Sequence, residues 1–178
     1  MPNWCECDLF IQGPKARVDE FLQFVKSDES DFDFDRLIPY PERFKELDRI
    51  KAEWDKQHLP PGGNPDWNDR PKDGFNQGGY EWCIANWGTK WFARGPEVSR
   101  HNVWQEEDGP ELLQVEINFA TAWSPPTPII QRAGELFPDL HFELRYFESG
   151  AAFNGIFVCE DGEVVADRSG NYYGDRGG

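Results

Sequence analysis

The chain has 178 residues, of which 33 are acidic and 18 basic, for a formal charge of −15. Apolar residues make up 38% and aromatic residues 15%, enough for a core without disulfide staples and too much for a disordered chain. The charge argues against a direct nucleic-acid binder, because such proteins rest on clustered Lys and Arg against phosphate.

The first element is a strand from Trp4 to Ile11, where Cys5, Cys7, Leu9 and Ile11 alternate with Glu6, Asp8 and Phe10. Gly13-Pro14 ends it, and Pro14 suits a helix start. Val18, Phe21, Leu22 and Val25 then form one helical stripe, with the end expected near Ser27. Asp28 to Asp35 reads as an acidic loop, with Phe32 and Phe34 as a short strand. A second helix is expected from Glu42 to Lys56, with Phe44, Leu47, Ile50 and Trp54 on one side. Residues 58–79 are rich in Pro, Gly, Asn and Asp and read as a long surface excursion. Tyr80 to Ala85 is a short helix leading into a turn, Asn86 to Trp91.

Val103 to Glu106 is a weak strand, and Asp108-Gly109 is a hairpin signal. Leu113, Val115, Ile117 and Phe119 mark the clearest strand of the chain. A helix follows Ser124-Pro125-Pro126, with Thr127 as its cap, Pro128 in its first turn, and Ile129, Ile130, Ala133 and Phe137 as its apolar stripe. Leu140, Phe142, Leu144 and Tyr146 alternate as a strand, and Asp161-Gly162 joins a last hairpin of Gly155–Cys159 and Glu163–Asp167. From Ser169 the chain is glycine-rich, and a flexible tail is expected over 171–178.

This order is the split βαβ pattern of an α+β, ferredoxin-like domain. The domain is expected over 1–170, with an insertion at about 40–100 and an added C-terminal hairpin. Both amphipathic helices should pack on one sheet face, leaving the other for the insertion, the hairpin or a ligand.

Among the four cysteines, Cys5 and Cys7 share a strand face and cannot easily bond each other. No pair has zinc-finger spacing, and His58, His101 and His141 are scattered. Buried free thiols are expected, with no metal and no cofactor. The N-terminus lacks the basic and apolar regions of a secretory leader, and no run approaches the ~18 apolar residues of a membrane span, so a cytoplasmic protein is expected.

Four segments are familiar in combination: Met1 to Cys5, the Asn86–Trp91 turn, Thr121 to Pro126, and Tyr146 to Gly150 followed by Phe153-Asn154-Gly155. Together they resemble the YubB-like, Api-type proteins of phages and plasmids, which carry a ferredoxin-like domain. The resemblance runs to about Gly155. It departs at Cys7, where such proteins often have Asn. It implies the fold and a mobile-element accessory protein in a bacterial cytoplasm, but no biochemical activity.

The candidate site gathers around the aromatic turn. Trp87 and Trp91 flank Gly88 and Lys90, with Asn86 and Thr89 beside them, and Trp123 precedes the helix start at Ser124. Indoles, an ammonium and a helix terminus suit a planar anion such as a nucleotide. The competing reading is that these rings fill space between insertion and sheet. Tyr146 and Glu148 complete the candidate set; Glu148 reads either as a solvent-facing strand-end carboxylate or as a buried acid with a role. His141, Arg94, Arg100 and Arg145 read as bystanders or surface salt-bridge partners. No phosphate loop, metalloprotease motif or serine-nucleophile elbow is present, so the reading leans against an enzyme.

The leading functional expectation is a non-enzymatic protein that binds a small nucleotide-like ligand, as in sequestering a host defence signal. The second is an acidic inhibitor or nucleic-acid mimic that binds a basic host protein. The third is an enzyme acting on nucleotides.

Overall fold

The computed structural model describes residues 3–58, 69–105 and 109–171. Strand β1, Trp4–Pro14, is the centre of the fold. Its odd-numbered Cys5, Cys7, Leu9 and Ile11 are all buried, as their alternation requires. Helix α1, Lys15–Val25, buries Val18, Phe21 and Val25. It stops two residues before Ser27 because the Val25 carbonyl accepts the Asp33 N–H at 2.8 Å and Lys26 is extended.

The short strand expected around Phe32 and Phe34 is a correction. Phe34–Leu37 is a single helical turn, α2, capped by Asp33, whose Oδ1 accepts the Asp35 N–H at 2.9 Å. Phe32 and Phe34 are both buried, edge to face at 5.4 Å, so alternation here records two inward rings without a strand between them.

Helix α3, Glu42–His58, buries only Phe44. Ile50, placed on its apolar side by spacing, is 42% exposed. The helix is tied down by polar contacts instead: Asp55 pairs with Arg70, and Asp48 accepts the Gly74 N–H at 2.9 Å. Residues 59–68 of the expected excursion lie outside the described residues; 75–77 form one 3-10 turn, and α4, Gly79–Trp87, follows.

Strand β2, Arg94–Gln105, is far longer than the weak strand expected at Val103. Register shifts at Arg94/Glu97 and Arg100/Val103 interrupt its pairing with β3 and hid its alternation. β3 runs Glu111–Ala122 and buries Leu113, Val115, Ile117 and Phe119. The turn expected at 108–109 lies partly outside the described residues. Helix α5, Thr127–Leu136, buries Ile129, Ile130 and Ala133. Thr127 is its first helical residue rather than its cap; Pro126 holds the cap position and there is no side-chain cap. Then come β4, His141–Glu148, β5, Phe153–Glu160, and β6, Glu163–Asn171. Ser169 to Asn171, expected to fray, pair with Phe153 to Gly155; residues 172–178 lie outside the described residues.

The sheet order is β2-β3-β1-β4-β5-β6, with every neighbouring pair antiparallel. The first four strands with α1 and α5 are the ferredoxin-like arrangement, and the hairpin widens it beside β4. Helices α1 and α5 share one core with the insertion: Phe34, Phe44, Cys83 and Trp87 join Phe21, Ile130 and Phe142 in a single cluster. The described helices of the insertion therefore pack on the same sheet face as α1 and α5, and Trp91 reaches the other face against Trp4. Among the described residues, Glu6, Asp8, Phe10, Glu116, Asn118, Glu143, Arg145 and Phe147 lie on that face and none is buried. No helix among the described residues is long and apolar enough to cross a membrane.

Candidate functional site

Asn86 and Trp87 are not in a turn: they close α4. The helix stops at Gly88, at φ +76, where a Cβ would lie 2.7 Å from Pro128. Three of the candidate residues secure this crossing. Asn86 Nδ2 donates to the Trp82 carbonyl at 2.8 Å, Thr89 Oγ1 to the Ala122 carbonyl at 2.9 Å, and Ser124 Oγ to the Gly88 carbonyl at 2.6 Å. Thr89 is fully buried.

Trp87 is a correction to the expected pocket. It is 1% exposed, and its Nε1 donates to the Ile38 carbonyl at 2.9 Å. Phe34, Tyr40, Trp82 and Phe92 surround its ring at centroid distances of 4.8–5.9 Å. It fills the joint between insertion and sheet.

Lys90, Trp91 and Trp123 do come together. The Lys90 ammonium lies 4.5 Å from the Trp91 ring and 4.7 Å from Trp123, with Tyr80 and Phe75 just under 6 Å away. Among the described residues no carboxylate pairs with it. Trp123 is 44% exposed and sits at φ +69, its N–H donating to the Asn3 carbonyl. The stack continues through Trp91 to Trp4, 6.4 Å away, and Arg94 covers Trp4 at 4.5 Å. Arg94 is thus a ring partner, with no salt bridge among the described residues, whereas Arg100 pairs with Asp19 at 2.7 Å and Arg145 with Glu143 at 2.6 Å. Phe75, Tyr80 and Trp4 were missed in sequence because they reach this cluster from three different segments.

Tyr146 and Glu148 belong elsewhere. Tyr146 lines a separate depression of about 510 Å³ with Gly88, Ser124, Asp167 and Ser169. Burial, then the Asp167 charge, raises its phenol above the ordinary tyrosine range. Glu148 is only 2% exposed, so the solvent-facing alternative fails. Its carboxylate accepts the Gly150 N–H at 2.7 Å and the Ala151 N–H, closing the β4–β5 turn. All four cysteines are free and buried, and burial pushes Cys83 up to about 12 and Cys159 up to about 11. The Cys83 and Cys159 thiols are therefore protonated at neutral pH. Among the described residues no three His, Cys, Asp or Glu side chains gather as metal ligands.

The sheet face opposite α1 and α5 carries a different chemistry. Asp8 lies between Asn118 of β3 and Arg145 of β4, and Phe10 between Glu116 and Glu143. Asn118 Nδ2 donates to Asp8 at 2.8 Å and to Glu116 at 2.7 Å, fixing both carboxylates. A depression of about 390 Å³ beside them is lined by Trp4, Glu6, Asp8, Arg94, Glu97 and Asn118. The polar half of each strand's alternation held this information, but the order of the strands was needed to assemble it.

The architecture is that of a ferredoxin-like α+β protein whose described helices α1 and α5 lie on one face of the sheet. Residues 100–175 match the family model described as the ferredoxin-like domain in Api92-like protein, the part of the chain from β2 through β6. The crystal structure of api92 from Yersinia pseudotuberculosis matches with a TM-score of 0.54 at 10% identity, over 98% of this chain and 99% of that one. At that identity the likeness is one of fold. No curated protein matches the chain.

Proposed function

We propose that this chain is a non-enzymatic binding protein that takes a basic partner on the sheet face opposite α1 and α5. The observation carrying this reading is the excess of carboxylates over cations on four adjacent strands: Glu97 of β2, Glu116 of β3, Glu6 and Asp8 of β1, and Glu143 of β4, against Arg94 and Arg145. They sit on a rigid sheet, so no ordering of a loop is needed before binding. A chain of net charge −15 also steers a cationic partner toward itself. The test compares an unstructured arginine–glycine peptide with a matched glutamate–glycine peptide by fluorescence anisotropy. Only the basic peptide is expected to bind, and the pair Glu6→Lys, Glu97→Lys should weaken it about tenfold or more. Equal affinity in that variant removes the face from consideration.

A second reading rests on Lys90. Its ammonium, held over two indoles and paired with no described carboxylate, suits a planar anion stacked on the exposed side of Trp123. This retains the nucleotide-like ligand without Trp87, Thr89 or Glu148. Titration of tryptophan fluorescence with a nucleotide panel should give saturable quenching that is lost in Lys90→Ala; no quenching, or quenching unchanged in that variant, counts against it.

The likeness to phage and plasmid proteins supports an accessory role for a mobile element in a bacterial cytoplasm, where either ligand would come from the host.

A further inference from the structure

Tyr146, Gly155 and Ser169 stand opposite one another across β4, β5 and β6, on the sheet face that buries Cys7 of β1. Gly155 has no side chain to hold the phenol off: a Cβ there would lie 2.3 Å from the Tyr146 hydroxyl. The ring lies over the glycine and brings its hydroxyl to Ser169, with which it hydrogen-bonds. Asp167 and Asn171 sit two residues to either side of Ser169, on the same face of the edge strand.

These groups meet the joint between α4 and α5. Gly88, Ser124, Pro125, Thr127 and Pro128 form the other wall of the depression of about 510 Å³, a volume within the ~300–1,000 Å³ of small-molecule sites. Ser124 is already engaged with the Gly88 carbonyl. Thr127 caps no helix end. A hydroxyl both donates and accepts, so one mutual bond leaves Tyr146 and Ser169 further capacity. Among the described residues, Asp167 has no ion pair, and no Lys, Arg or His lines the depression. The start of α5 offers little to an anion, because Pro128 has no N–H and the Ile129 and Ile130 N–H groups donate to the Pro126 carbonyl. Pro125, Pro128 and Phe153 add apolar surface.

We infer that this depression takes a small hydroxylated ammonium compound of the amino-sugar class, with its ammonium on Asp167 and its hydroxyls on Thr127, Tyr146 and Ser169. A charge-assisted hydrogen bond fixes the cationic end, and the neutral hydroxyls orient the rest. The C–H face of a sugar ring packs on the two prolines. A net charge of −15 favours a cation here over an anion. The site rests on neither reading above: it lies on the opposite face of the sheet from the carboxylate row and shares no residue with the Lys90 cluster.

The test follows backbone amide shifts of the whole, isotope-labelled chain by NMR while glucosamine, glucose or ethylamine is added, in slightly acidic buffer where glucosamine is protonated. Glucosamine should shift the amides of Gly88, Ser169 and Gly170 saturably. Glucose lacks the ammonium and ethylamine lacks the hydroxyls, and each should bind about fivefold more weakly or worse. Asp167→Asn, at an exposed position, should bring glucosamine down to the level of glucose. Thr127→Val keeps the side chain's shape and should weaken glucosamine severalfold without affecting ethylamine. The inference is overturned if those amides do not move, if glucose or ethylamine binds as well as glucosamine, or if Asp167→Asn leaves glucosamine binding unchanged.

Discussion

At Trp87 the indole N–H meets the Ile38 carbonyl, and four aromatic rings close around the side chain. A residue so placed contributes packing energy, and Trp87→Ala should cost about 3–5 kcal/mol of stability in chemical denaturation. Trp123→Ala removes a half-exposed ring and should cost about 1 kcal/mol or less. Glu148 behaves like Trp87. Its two oxygens satisfy backbone N–H groups of the turn after β4, and Glu148→Gln exchanges one acceptor for a donor facing a donor. That change should cost about 1–3 kcal/mol, read as a lower midpoint in urea. Nothing in the sequence separates a core tryptophan from a displayed one when both flank the same glycine. The deciding fact is which side of Gly88 each ring falls on once α4 ends, and that depends on packing against α5.

At the scale of elements, alternation was a dependable guide wherever one strand face met the helices. β1, β3 and β4 are legible in this way because their buried halves are continuous. β2 was legible only near its end, since two register shifts break its period. Phe32-Asp33-Phe34 misled for a specific reason: two inward rings two residues apart mimic a strand, while Asp33 between them is a helix cap. Asp33→Ala should therefore destabilise the protein by about 1 kcal/mol, and Asp33→Asn by clearly less, in paired thermal melts. In α3 the apolar spacing was real, but only Phe44 is buried; Leu47 and Trp54 are half-buried and Ile50 is exposed. The candidate site divided along the same lines. Lys90, Trp91 and Trp123 come together although Trp123 lies in a distant segment, and the acidic face did not emerge because it requires residues from four strands whose order is a tertiary fact.

Across the whole molecule, charge is the dominant theme. Hydrogen bonds from Arg100 lower Asp19, those from Arg17 lower Asp139, and those from Arg70 bring Asp55 to about 2. These carboxyls bind protons less readily folded than unfolded. Their stabilising effect is complete above the ordinary carboxylate range, near pH 4, and is lost as pH falls toward about 2. A pH series of thermal midpoints should show that acid-side decline, and Arg70→Ala should remove the part due to Asp55. With 33 acidic and 18 basic residues, self-repulsion prevails at neutral pH, so added salt should raise the thermal midpoint there.

The same excess of carboxylates underlies the proposed binding face, and salt acts on the two in opposite directions. The most direct measurement is the affinity of the arginine–glycine peptide across a range of NaCl concentrations, for the wild type and for Glu6→Lys, Glu97→Lys. The logarithm of affinity should fall steeply with the logarithm of salt in the wild type and with a shallower slope in the variant. Identical slopes, or no binding at the lowest salt, would contradict a basic partner on the sheet face opposite α1 and α5.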